Sequence, residues 1–164
     1  MRTEPYNNLK KYLAEPYKTI WEIGNATGLR ITDILTLKVK HLKIEKPTIR
    51  EQKTGKSKRI RIPTKTRKRL IAWTEKQPDN SYIFSSDSTT GHLTRQAVFK
   101  AFKKASKQAG TKNNVGTHTM RKNYALRQYK KGGIKYVQNK LNHDNMAESA
   151  LYLLKGKEEE NEQR

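Results

Sequence analysis

The stretch GTHTMRKNYALRQYKKGG, residues 116–133, places a histidine and an arginine three positions apart in a strongly basic segment. The pattern predicts a helix that begins near Thr117 and ends at Gly132–Gly133. Residues three apart on a helix share one face, so His118 and Arg121 would lie side by side. One interpretation is a phosphate site formed by the arginine fork and the free N–H groups of the helix start. The alternative is a solvated basic helix with an incidental histidine.

The composition favours a polyanionic partner. The chain has 164 residues, 33% of them apolar, and a formal net charge of +21. Such a chain repels itself, so we expect it to bind DNA or RNA, with an anionic membrane surface as the second candidate. The chain has no cysteine, which excludes disulfides and fits a reducing compartment such as the cytoplasm. There is no run of about 18 apolar residues and no apolar signal-peptide centre at the start.

The periodicity predicts a mainly α-helical domain with a small antiparallel β-sheet, an α+β fold. Residues 48–53 and 58–63 flank the glycine-containing TGKS and predict a β-hairpin with one apolar and one basic face. We expect its tip to carry Lys53, Lys56 and Lys58. Apolar residues at helical spacing predict helices at residues 16–28, 30–37, 64–77, 94–110, 116–133, 134–143 and 145–154.

Three further positions are candidates for a phosphate site. Arg30 directly follows the glycine at 28 that ends a helix, with Asp33 close enough to orient it; the alternative is a surface arginine at a helix end. His143 ends a short helix and is otherwise a capping or surface group. Tyr152 points away from the apolar stripe expected on the last helix, towards Glu148 and Ser149. Simple exposure of this tyrosine is the alternative.

The sequence carries no metal-binding or nucleotide-binding motif. Phosphoryl chemistry would therefore run on side chains alone, with arginines to stabilise the charge on the phosphate oxygens. A tyrosine can be the nucleophile, and a lysine can protonate the leaving oxygen. We expect no cofactor. The residues that could supply these parts are Arg30, Lys53, His118, Arg121, His143 and Tyr152.

Four segments in this order resemble the tyrosine recombinases, also called phage integrases, from about Tyr17 to Leu154. TGLRITDILTL is similar to the family's first box, EQKTGKSKRIRIP to its hairpin, HTMR to the His-x-x-Arg of its second box, and KLNHDNMAESALYL to the segment with the second histidine and the tyrosine. The second histidine precedes the tyrosine by nine residues, as in the family. Each match alone is weak, but their order and spacing are specific.

The resemblance implies the catalytic-domain fold of that family and metal-free cleavage and rejoining of double-stranded DNA. It implies that Tyr152 forms a 3′-phosphotyrosyl link, that Arg30 and Arg121 hold the phosphate, and that Lys53 protonates the 5′-oxygen. His118 would assist proton transfer and His143 would hydrogen-bond the phosphate. Asp33 would orient the side chain of Arg30. Four basic hairpin residues would bind DNA: Lys56, Lys58, Arg59 and Arg61.

The chain also departs from the family pattern. Asn142 stands where glycine is usual, so the local turn could differ. Residues 1–154 would form the catalytic domain, without the preceding core-binding domain of most members, so the chain is a fragment or an unusually short member. Family members act as tetramers on paired DNA sites, so we expect a homo-tetramer there and a monomer in isolation. The acidic tail, residues 155–164, is expected to be disordered.

Other functions remain compatible with the sequence. Type IB topoisomerases use the same chemistry to relax DNA. A non-catalytic DNA-binding protein could keep the fold, and composition alone would allow an RNA-associated basic protein. For the recombinase we expect a bacterial or phage-encoded protein of the cytoplasm, associated with the nucleoid.

Overall fold

The computed structural model describes residues 8–111 and 115–162. After a short 3₁₀ turn at Leu9–Tyr12, the elements follow in the order α1 (Tyr17–Thr27), α2 (Ile31–Leu35), α3 (Val39–Leu42), β1 (Thr48–Arg50), β2 (Ser57–Arg59), α4 (Thr64–Trp73), α5 (Arg95–Gln108), α6 (Thr119–Leu141) and α7 (Met146–Glu162). The mainly helical α+β fold with one small antiparallel sheet is therefore confirmed.

The two glycines expected to end a helix do so within α6. Gly132 and Gly133 have non-helical backbone angles, and Gly133 adopts a φ of 71° that favours glycine. α6 therefore consists of two helices joined at a kink, which confirms the predicted division into 116–133 and 134–143. The prediction of Thr117 as N-cap is wrong: His118 holds that position, and its side chain caps no backbone N–H.

The core has two parts, which together fix the relation between α1, α6 and α7. The larger part lies around α1 and α5, where the rings of Trp21 and Phe102 meet edge to face at 5.3 Å. The smaller part lies between α6 and α7 and contains Tyr124, Ala125, Val137, Leu141 and Leu153. Because α6 packs on both α1 and α7, residues distant in sequence meet at its first turns.

The apolar stripe predicted for α7 faces solvent rather than the core. Leu151 is 52% exposed and Leu154 is 60% exposed, whereas Ser149 and Leu153 are buried. The angular prediction that Tyr152 shares a face with Ser149 is right, but this face packs against the rest of the protein. α7 also continues through Glu162, so the expectation of disorder in the acidic tail is wrong for residues 155–162; residues 163–164 lie outside the described ranges.

The hairpin pairs β1 and β2 antiparallel, with Ile49 opposite Lys58. The predicted alternation continues beyond β2, where Ile60 and Ile62 are buried and Arg59 and Arg61 are exposed. Lys58 lies on the same inward face of the strand as the isoleucines and is buried with them. The prediction that Lys58 lies at an exposed tip is therefore wrong.

Candidate active site

Arg121 is the centre of the site, because its guanidinium ties three parts of the chain together. The side chain is fully buried. Nη1 donates to the carbonyl of Gly28 at 2.6 Å, and Nη2 donates to the carbonyl of Leu141 at 3.0 Å. The arginine thereby joins the end of α1, the start of α6 and the end of α6 in one fixed geometry.

The turn between α1 and α2 presents Arg30 beside Arg121. Gly28 ends α1 with a φ of 66°, and a Cβ there would meet the ring of Tyr124 at 2.3 Å. Glycine is thus required both by the backbone conformation and by the close approach of α6. Arg30 is the N-cap residue of α2, and its side chain is only 13% exposed.

A buried carboxylate that the sequence analysis did not single out holds Arg30. Oε2 of Glu51 lies 3.4 Å from Nη1 of Arg30 and accepts a hydrogen bond of 2.8 Å from the hydroxyl of Thr54. Asp33, the expected partner of Arg30, accepts the backbone N–H of Gln52 at 2.8 Å instead. Burial raises the pKa of Asp33, whereas Arg30 and Arg121 oppose the rise. The only feature of the sequence that indicated Glu51 is its position as an acidic residue beside a basic hairpin.

His143 lies directly beside Arg121, as the family resemblance implied. Nη2 of Arg121 donates to Nε2 of His143 at 3.4 Å, and Nδ1 is 2.9 Å from the hydroxyl of Ser149. Burial lowers the pKa of His143 to about 4; Arg121 also lowers it, whereas Glu148 raises it. The imidazole is therefore neutral at physiological pH.

Tyr152 faces this pair from α7. Its ring centre is 5.2 Å from that of His143 and 5.7 Å from the guanidinium carbon of Arg121. The phenol of the proposed nucleophile thus lies against the two groups expected to bind phosphate.

His118 lies at the open edge of the site. It lines a cleft of about 290 Å³ with Lys122, Leu151, Tyr152 and Lys155. Partial burial lowers the pKa of His118, and the neighbouring Lys122 and Arg121 lower it further. The neutral imidazole that results at physiological pH can accept a proton.

The hairpin residues occupy three different settings. Lys53 is exposed in the turn. Lys56 forms an ion pair with Asp144, and its Nζ donates to the carbonyl of Asn142 at 3.1 Å, so it ties the turn to the loop between α6 and α7. Arg59 and Arg61 are exposed on the outer face, where Arg61 pairs with Glu45 at 3.0 Å.

Asn142, the departure from the family pattern, adopts the backbone conformation that glycine favours. Its φ is 55° and its ψ is 33°, in the left-handed region that asparagine tolerates better than most residues. Its Nδ2 donates to the carbonyl of Ser57 at 3.3 Å. The turn is therefore preserved, and the asparagine adds a link to the hairpin.

Several buried polar atoms of this site have no hydrogen-bond partner within residues 8–111 and 115–162. They include two donors, Nη1 of Arg30 and Nε of Arg121, and two acceptors, Oδ2 of Asp33 and Oε1 of Glu51. The two donors belong to the arginines expected to hold a phosphate. No group of three or more histidine, aspartate or glutamate residues in the described chain is placed to hold a metal ion. Nor does any helix there have the length and apolarity needed to cross a membrane.

Sequence comparison finds similar proteins among recombinases. "Probable integrase/recombinase YoeC" of Bacillus subtilis is 28% identical over 155 residues, which cover 92% of this chain and 85% of that protein. A "Tyrosine recombinase" of Thermosipho africanus is 30% identical over 139 residues, and "Tyrosine recombinase XerA" of Pyrococcus furiosus is 28% identical over 132 residues. These matches cover 83% and 77% of this chain but only 48% and 46% of the two proteins, so the chain spans about half their length.

Solved structures show the same fold. A crystal structure of XerA recombinase matches with a TM-score of 0.74 at 20% identity, over 93% of this chain and 58% of that one. The lambda integrase catalytic core matches with a TM-score of 0.66 at 19% identity, over 87% of this chain and 90% of that one. The fold is that of tyrosine recombinase catalytic domains. The sequence profile of the "Phage integrase family" matches residues 3–159, and the chain belongs to this family.

Proposed function

We propose that this chain is the catalytic domain of a site-specific DNA recombinase, which breaks and rejoins DNA strands through a covalent 3′-phosphotyrosine. The observation that carries the proposal is the placement of Tyr152 against Arg121 and His143, with ring and guanidinium distances of 5.2 Å and 5.7 Å. A phosphodiester bound by Arg121 would lie near the ring of Tyr152. Proximity of this kind removes much of the entropic barrier to attack.

The phenol oxygen of Tyr152 forms a bond to phosphorus, the bond from phosphorus to the 5′-oxygen breaks, and Lys53 gives the leaving oxygen its proton. The proton of the phenol passes to His118, whose lowered pKa leaves the imidazole neutral. A 5′-hydroxyl from a partner strand reverses the step, so the covalent link conserves the bond and no cofactor is needed.

The two arginines stabilise the charge on the non-bridging oxygens. Nε of Arg121 has no hydrogen-bond partner in the described chain, and Nη1 of Arg30 has only the ion pair with Glu51 at 3.4 Å. Preorganised donors of this kind stabilise charge without reorganisation during the reaction. Asp33 supports this arrangement from the buried side, through its attraction to both arginines.

His143 hydrogen-bonds a phosphate oxygen through Nε2. In the free protein this nitrogen lies 3.4 Å from Nη2 of Arg121 and 3.5 Å from Oε1 of Glu148. The hydroxyl of Ser149, 2.9 Å from Nδ1, can donate or accept and so fits either tautomer. The low pKa of His143 keeps the imidazole neutral throughout.

The partner is double-stranded DNA, and the working assembly is a homo-tetramer on two paired sites. The net charge of +21 supports DNA binding, with Lys56, Arg59 and Arg61 contributing from the hairpin. A crystal structure of a lambda integrase tetramer bound to a Holliday junction contains a structurally similar chain, with a TM-score of 0.69. We place residues 1–154 in the catalytic domain and the protein in the cytoplasm, associated with the nucleoid.

The test is covalent trapping on a nicked DNA substrate that carries the recombination site and loses its 5′-fragment on cleavage. The expected result is a protein–DNA adduct at the 3′-phosphate that forms equally well with EDTA present. Loss of the reaction in EDTA, or a free 3′-phosphate without adduct, would instead indicate a metal-dependent nuclease and overturn the proposal.

A further inference from the structure

Lys58 is a buried cation at a position where the strand pattern calls for an apolar side chain. It lies on the inward face with Ile60 and Ile62, opposite Ile49 in the hairpin register. Its exposed fraction is 8%, close to the values of these isoleucines. A buried lysine costs free energy unless its ammonium finds partners, so its contacts indicate its purpose.

The partners of Lys58 are at the end of α1. Nζ donates to the carbonyl of Thr27 at 3.1 Å and lies 5.6 Å from the centre of the Tyr124 ring. The next carbonyl along the chain, that of Gly28, accepts from Arg121. Two cations therefore hold two consecutive carbonyls at the C-terminus of a helix, where the helix dipole favours positive charge.

This pair of contacts fixes the segment that carries Arg30. The arginine follows three residues after Thr27 and begins α2. Lys58 binds the segment from the hairpin side, and Arg121 binds it from α6. A shift of the turn would move the guanidinium of Arg30 away from the phosphate position. Glu51 and Gln52, which follow β1, contact Arg30 and Asp33 beyond the turn, whereas Lys58 holds a carbonyl at the end of α1 itself.

We infer that Lys58 is a positioning residue, whose buried ammonium locks the end of α1 to the hairpin and thereby holds Arg30 in register with Arg121. The inference rests on the proposed function and deepens it. Because Lys58 is buried and its Nζ donates to Thr27, we expect it not to contact the DNA backbone. Its contribution is to the rate of cleavage rather than to DNA affinity, which separates it from Arg59 on the outer face of the same strand.

The charge state of Lys58 gives this role a pH signature. Burial and the nearby Arg121 and Arg30 lower the pKa of Lys58 to about 8, whereas Glu51 and Asp33 partly oppose the fall. The other charged groups around it line the adjoining cavity of about 440 Å³, which opens to solvent; they are Lys46, Arg59, Arg61 and Lys140. The ammonium is therefore present at neutral pH and loses its proton above about pH 8.

The test compares wild type with Lys58→Met, which keeps the length of the side chain without charge or donor. The rate constant of adduct formation is measured at saturating DNA, together with the dissociation constant. At about pH 7 the variant is expected to cleave at least about 10-fold more slowly, since small displacements of a catalytic group are this costly. Its DNA affinity is expected to stay within about 2-fold of wild type, with an unchanged salt dependence. Lys76→Met, at an exposed lysine outside the site, is the matched comparison and is expected to leave the saturated rate unchanged.

The decisive readout is the ratio of the two rates at higher pH. At about pH 9.5 wild-type Lys58 is deprotonated, so the wild-type rate is expected to approach that of Lys58→Met. A ratio that is the same at both pH values would show a merely structural role and overturn the inference, as would a wild-type rate for the variant at neutral pH.

If circular dichroism shows that Lys58→Met is unfolded, Lys58→Arg replaces it. Its rate relative to wild type must then rise with pH, and a constant ratio overturns the inference. Absence of any adduct from wild type contradicts the proposed function instead.

Discussion

Arg121 and His143, 22 residues apart in sequence, are joined by a hydrogen bond of 3.4 Å from Nη2 to Nε2, and the ring of Tyr152 covers both. This relationship makes the two ends of α6 and the middle of α7 one unit. Any change in how α7 docks on α6 moves the phenol and the phosphate-binding groups together. The predictions below test this unit and the groups that support it.

Replacement of Arg121 by lysine is expected to damage both activity and stability. Lysine keeps the charge but cannot reach Gly28 and Leu141 at once, because it lacks the planar fork. The cleavage rate should fall by at least about 100-fold. The free energy of unfolding should fall by about 1–3 kcal/mol, since a buried carbonyl loses its donor. Single-turnover cleavage and urea titration measure the two effects. If Arg121→Lys cleaved DNA at the wild-type rate, Arg121 would only contact the DNA backbone and would not act in cleavage.

Glu51→Gln is expected to loosen Arg30 and the hairpin turn together. The carboxylate is buried and faces both Arg30 and Thr54, so its neutralisation leaves a buried guanidinium without its counter-charge. A loss of about 3 kcal/mol in unfolding free energy is typical for breaking a buried ion pair. The exposed pair of Arg61 and Glu45 offers a matched control. Glu45→Gln should change stability by less than about 1 kcal/mol. Equal effects of the two substitutions in urea titrations would contradict the assignment.

The lowered pKa of His143 predicts how stability depends on pH. The unfolded chain binds a proton at this residue near pH 6.5, whereas the folded protein binds it only near pH 4. The unfolded state therefore gains protons first as the pH falls, so stability from His143 is present above about 6.5 and is lost towards 4. His143→Gln should flatten this part of the profile. Parallel profiles of wild type and variant between pH 7 and 5 would show that His143 is not held neutral.

Asn142→Gly should be tolerated, whereas Asn142→Val should not. Glycine adopts the φ of 55° without strain and loses only the hydrogen bond to Ser57, so we expect a change below about 1 kcal/mol. Valine is β-branched and strained in the left-handed region, which costs about 1–3 kcal/mol. Thermal unfolding of the two variants distinguishes them. Similar melting temperatures would mean that the turn relaxes to another conformation.

The fold class was predictable, and so were the ends of the elements that carry Arg30 and Arg121, because each left a local signal. The glycine at position 28 marks the end of α1 and the HTMR motif the start of α6, and both survive in the structure. The exposure of Leu151 was not predictable. Amphipathic spacing on α7 identifies two faces but not which one packs on α6, and here the docked face is formed around Ser149 and Tyr152.

The buried charges were equally beyond the sequence patterns. Lys58 and Glu51 belong to a segment rich in basic residues, where solvation is the ordinary expectation. Only the packing of the hairpin against α1 and α2 shows that Lys58 faces inward and that Glu51 meets Arg30. The alternation of charged and apolar residues identifies the buried face of a strand only when every residue on that face is apolar.

The central claim is that Tyr152 is the nucleophile, and peptide mapping of the trapped protein–DNA adduct tests it most directly. Tyr129→Phe serves as a control, since Tyr129 is a partly exposed tyrosine on α6 whose ring contacts Lys157. The account predicts that the DNA is attached to the peptide containing Tyr152. It also predicts that Tyr152→Phe folds and binds DNA without forming the adduct, whereas Tyr129→Phe forms it at the wild-type rate. An adduct that persists in folded Tyr152→Phe, or that maps to another residue, would contradict the account.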